Sequence, residues 1–149
     1  MKFMGKAVVA VAAVGLAAGS AIGAGTADAA GLYGSIAFSG DNWIYGSSVN
    51  APSADEAMAE ALDQCGWEGA TDCQVMVTWA NGCGALVYRN DNTDNLAVGT
   101  GTGRDRATAL RSAYESLSEY YPPALLANVG SADLSATGIS KVVCTANAG

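Results

Sequence analysis

Four cysteines, Cys65, Cys73, Cys83 and Cys144, are the side chains of this 149-residue chain best suited to chemistry, and histidine is absent. Without histidine, a Ser-His-Asp triad, a Cys-His pair and the common imidazole zinc sites are excluded. An even cysteine count behind an export leader reads instead as two disulfides, which leave no thiolate nucleophile. Three connectivities are open. Chain order favours Cys65–Cys73, joining the end of a helical pattern to the next strand. It also favours Cys83–Cys144, tying a mid-chain strand to the last one. In the chain-entropy description the longer loop contributes about 4 kcal/mol and the shorter one less.

Other patterns carry weaker chemistry. Gly99-Thr100-Gly101-Thr102-Gly103-Arg104 leads from a strand into a helix, as phosphate loops do. Arg104 stands where a dinucleotide motif needs its third glycine, and no Gly-Lys-Ser/Thr follows, so the stretch is expected to be a flexible connection. Asn90 to Asn95 offers oxygen ligands but lacks the Gly and Glu of a calcium loop, and reads as a solvated turn. The carboxylates Asp41, Asp55, Glu56, Glu60, Asp63, Glu68 and Asp72 show no spacing that singles out an acid/base pair. Catalytic, cofactor-binding and metal residues are therefore expected to be none. Among the aromatics, Trp79 and Tyr114 fall on apolar stripes, whereas Trp43 near a hairpin tip and Trp67 inside the Cys65–Cys73 loop are the candidates for a binding surface.

The segment ahead of these residues has the three parts of a secretory signal peptide: a basic start at Lys2 and Lys6, an apolar run from Ala7 to Ala18, and Ala27-Asp28-Ala29 as the cleavage site. Residues 1–29 are expected to be removed, leaving 30–149 as one disulfide-stabilised domain. The apolar run is too short and alanine-rich for a spanning helix, so no stable membrane span is expected after cleavage. Without Lys2, Lys6 and Asp28 the balance is five basic against thirteen acidic residues, net −8. No basic face exists for phosphates, which argues against nucleic-acid binding.

The elements that must position the candidates come in two similar sets. Tyr33-Gly34-Ser35-Ile36-Ala37-Phe38 is echoed by Cys83-Gly84-Ala85-Leu86-Val87-Tyr88. After each copy come a second short apolar run, a helical pattern and a Val-rich run. Ser53-Ala54-Asp55-Glu56 is a capping box, and Ala54, Ala57, Met58, Ala61, Leu62 and Cys65 form the stripe of a helix from about Ala54 to Cys65, stopped by Gly66. Asn81-Gly82 is a strong hairpin signal between the halves. A second helix follows the stripe Ala107, Leu110, Ala113, Tyr114, Leu117 and Tyr121 to Pro122-Pro123. Residues 122–138 read as an irregular insertion, with one helical turn near Ala124 to Ala127. The predicted fold is α+β: two ββαβ pseudo-repeats, about 33–81 and 83–148, in a mostly antiparallel sheet with two helices packed on one face.

Tyr33-Gly34-Ser35-Ile36-Ala37, Cys65-Gly66, Asp72-Cys73-Gln74-Val75, Asn81-Gly82-Cys83-Gly84-Ala85 and Val143-Cys144 occur in the order that marks a bacterial family named domain of unknown function 4189. The chain resembles that family over nearly all of 30–149. It departs from the pattern in the second helix, which lacks a cysteine, and in the insertion. The resemblance implies a fold and an exported, actinobacterial type of protein, with no catalytic residues to carry over. The functional expectation is a secreted, non-catalytic interaction module, its partner an unknown protein or envelope component. The alternatives are an extracellular carboxylate-dependent enzyme and a structural envelope protein.

Overall fold

Strand β1 (Tyr33–Ser39) is buried along all but its first residue, and each of its faces has a different partner. Ala37 packs with Ala61 and Cys65 of helix α1 (Ala54–Gly66), while Ile36 and Phe38 pack with Trp79 and Leu86. The computed structural model describes residues 31–92 and 94–148; the leader read at residues 1–29 lies outside them. The remaining elements are β2 (Ile44–Ala51), β3 (Gln74–Ala80), β4 (Cys83–Arg89), β5 (Val98–Gly103), α2 (Arg106–Ser118), a 3-10 helix (Pro122–Val129), α3 (Ala132–Ser135) and β6 (Thr137–Cys144). The order is ββαβ twice, with the predicted insertion holding the 3-10 helix and α3.

The strands form two three-stranded antiparallel sheets, β2-β1-β3 and β5-β4-β6, instead of one shared sheet. Each sheet carries its own helix: α1 lies on β2 and β1, and α2 on β5 and β4. The physical reason is that β1 and β4 are buried on both faces. A helix covers one face, and only a second sheet can bury the other. The helices therefore lie on opposite outer faces. Between the sheets lie Ile36, Phe38, Trp79 and Leu86, ringed by Val49, Met76, Val77, Val98 and Val143.

Asn81-Gly82 turns a corner between the sheets and does not close a hairpin, since β3 and β4 are not hydrogen-bonded neighbours. Asn81 adopts φ 52°. Its N–H donates to the Leu32 carbonyl (2.8 Å) and its Oδ1 accepts from the Leu32 N–H (3.1 Å), so the chain is pinned to the start of β1. The Gly82 carbonyl accepts from Trp79 Nε1 at 3.0 Å and from the Thr145 backbone N–H at 2.8 Å. Those bonds take the place of a ladder.

The halves match residue by residue. Gly34 pairs with Trp79 as Gly84 pairs with Val143, and Tyr33 with Ala80 as Cys83 with Cys144. Both pairings slip at the same point, leaving Met76 and Ser140 as bulge residues. The bulge brings Met76 into the interior with Val77, where simple alternation would place them on opposite faces. In the helices, buried Ala57, Ala61 and Cys65 correspond to buried Ala109, Ala113 and Leu117. Ala107, predicted to lie on the second stripe, is exposed. The reason is that α2 turns its small residues onto β5, where a Cβ at Gly99 or Gly101 would overlap the backbone of Ala113, Leu117 and Ala109. Glycines 99, 101 and 103 are thus strand residues that admit a helix at close range, and the connection predicted to be flexible is β5 itself.

Candidate binding cleft

Ser53 begins α1 as its N-cap, its hydroxyl accepting the Glu56 N–H at 3.2 Å. The helix then lies close on β2, because a Cβ at Gly46 would overlap the backbone of Ala61 and Cys65. Two side-chain bonds tether the outward row of α1 to the strand. The Ser48 hydroxyl donates to the Glu60 carboxylate, and the Ser47 N–H donates to Gln64 Oε1 at 3.3 Å. The helix runs through Gly66, with Trp67 as its C-cap in right-handed conformation, and the left-handed residue is Gly69 at φ 96°. The Cys65–Cys73 bridge closes this turn, with Cα atoms 6.1 Å apart.

Between β2 and this turn lies an open cleft of about 510 Å³, lined by Ile44, Tyr45, Glu60, Asp63, Gln64, Trp67 and Glu68. Trp67 is 86% exposed and Tyr45 38%. The Lys141 ammonium sits 5.6 Å from the centroid of the Tyr45 ring. The Trp67 ring on a bridged turn, beside Tyr45 and several carboxylates, can bind a ligand, and no thiolate is available there because all four cysteines are in disulfides, Cys65–Cys73 and Cys83–Cys144.

The two predicted surface tryptophans are not brought together. Trp67 is in the cleft. Trp43, at φ 54° and half exposed, packs edge-to-face on Phe38 (5.5 Å between centroids) and Tyr88 (5.4 Å), closing one end of the space between the sheets. Tyr45, Glu60 and Asp63 join the site through the fold. The sequence signal for the carboxylates is their i, i+3 spacing on the polar side of α1; Tyr45 has none that separates it from a core residue.

A second cleft, of about 580 Å³, lies at the corner between the halves against Trp79, Asn81, Thr102 and Arg104. The nearby Asp105 carboxylate caps α2 by accepting the Thr108 N–H at 2.8 Å, and this bond holds its pKa below the usual carboxylate range. Asp72 is also lowered, first by the Ser39 hydroxyl and then by the Asp41 N–H (2.9 Å). Through these bonds it organises the β1–β2 turn. Asp91, in the oxygen-rich turn, is held by Arg89 at 2.6 Å. Among the described residues no helix is long and apolar enough to cross a membrane. The two disulfides and that absence are compatible with an extracellular setting.

Comparison with known proteins places the chain. The model of the family described as domain of unknown function (DUF4189) matches residues 33–124, from β1 into the 3-10 helix, and so covers every residue of the first cleft. The protein is similar to Protein Rv1269c of Mycobacterium tuberculosis (strain ATCC 25618 / H37Rv), 37% identical over 95 residues, covering 64% of this chain and 68% of that one. The same figures hold for Protein Mb1300c of Mycobacterium bovis (strain ATCC BAA-935 / AF2122/97): 37% over 95 residues, 64% and 68%. No solved structure matches. With its ordered motifs, two disulfides and doubled ββαβ unit, the chain belongs to the family described as domain of unknown function (DUF4189).

Proposed function

We propose that the protein is a secreted, non-catalytic binding module that acts at the cell envelope or outside the cell, using the Tyr45–Trp67 cleft as its contact surface. The observation that carries this reading is the position of Trp67: a large aromatic, 86% exposed, on a turn closed by a disulfide. An indole on a pre-organised turn loses little conformational freedom on binding, which is why tryptophan is enriched at binding hot spots.

The test compares retention of the disulfide-bonded protein and its Trp67→Ala variant on cell envelopes from a mycobacterium, the source of the relatives. Retention of the parent and loss of most of it in Trp67→Ala is expected. Equal behaviour of the two proteins, or no retention of the parent, overturns the reading.

A further inference from the structure

We infer that the cleft takes the ammonium side chains of a lysine-rich polypeptide segment, an inference that rests on the cleft being the binding surface. Three features converge on a cation. First, the walls are aromatic faces, Tyr45 and the 86%-exposed Trp67, whose ring electrons attract alkylammonium groups. Second, the Tyr45 ring already attracts one such group: the Lys141 ammonium lies 5.6 Å from its centre. Third, Glu60, Asp63 and Glu68 line the same space, and among the described residues no cationic side chain forms an ion pair with any of them. The Glu60 carboxylate is oriented by Ser48, so it is held in place before a ligand arrives.

Charge complementarity favours a polypeptide over a single small cation. The carboxylates come from two turns of α1 and from the disulfide turn beyond it, so they are spread along the cleft. Successive lysines of an extended segment can each meet one while their alkyl stems lie on the rings. The net charge of −8 over residues 30–149 would also speed the encounter with a basic partner.

Hexalysine is the probe, titrated calorimetrically into the disulfide-bonded protein at low ionic strength. Saturable 1:1 binding is expected, weakening as salt is raised. Trp67→Ala leaves the charge unchanged and should weaken binding about tenfold. The pair Asp63→Asn with Glu68→Gln should weaken it by a similar factor, while Glu115→Gln with Glu119→Gln on α2 should leave it unchanged. All these side chains are exposed, so the variants fold. Absence of saturable binding, or equal affinity in Trp67→Ala, overturns the inference. If hexalysine fails while envelope retention still depends on Trp67, the cation falls and the binding module stands. If both fail, both fall.

Discussion

Gly34 and Gly84, the second residues of two matching strands in different sheets, lie against the same indole. A Cβ at Gly34 would stand 2.9 Å from Trp79 Nε1, and one at Gly84 would stand 2.7 Å from Cη2, with closer overlaps on neighbouring ring atoms. The repeated glycine is therefore a packing device. It lets the two sheets close over one large ring whose N–H is satisfied by the Gly82 carbonyl. The repeat keeps the glycine in both halves although the tryptophan comes from only one.

Filling either position should cost stability. Gly84→Ala and Gly34→Ala force the buried ring or the sheets to shift, and each should destabilise by about 1–3 kcal/mol. Gly66→Ala is the contrast: nothing lies within 4 Å of its added methyl, and it stands in a helix. That change should stabilise by about 0.5–1 kcal/mol. Urea denaturation midpoints measure all three.

The strand–helix contacts make a second, paired prediction. Gly46 meets α1 as Gly99 meets α2, each against backbone that cannot rotate away. Gly46→Ala and Gly99→Ala should destabilise by similar amounts, about 2 kcal/mol or more. A large effect at one and none at the other would show that the halves pack differently.

The disulfides differ in the loop they close, with separations of 8 and 61 residues. Peptide mapping of the unreduced protein should recover Cys65 with Cys73 and Cys83 with Cys144. Replacing Cys83 and Cys144 together by alanine should cost about 4 kcal/mol, and replacing Cys65 and Cys73 about 2.5 kcal/mol, by the loop-closure relation. Denaturant curves of the two double variants decide the order.

Asp72 links the β1–β2 turn to acid stability. Its pKa is lowered in the folded protein by the Ser39 hydroxyl and the Asp41 N–H. A depressed carboxyl stabilises the fold above its unfolded pKa of about 3.9, and the contribution is lost as pH falls through the folded value. Asp72→Asn should therefore be less stable than the parent at neutral pH. The gap should close on acidification below about pH 4, as followed by thermal unfolding.

The six strands, the two long helices and their order were legible in local sequence signals. The capping box at Ser53 and the echo of Tyr33–Phe38 in Cys83–Tyr88 are local signals that report local hydrogen bonding and burial. The disulfide pairing was legible for the same reason, since chain order put Cys65 beside Cys73. How the two halves meet was set by contacts between residues remote in the chain. The local pattern of β1 does not show that both of its faces are buried or which surface covers each, so the division into two sheets was hidden. Asn81-Gly82 carries the signature of a hairpin, and the bonds that make it a corner come from Leu32 and Thr145, remote in sequence. The cleft belongs to the same class. Tyr45, Glu60 and Trp67 become neighbours only because Gly46 lets α1 settle on β2, and a contact made by the absence of a side chain leaves no periodic trace.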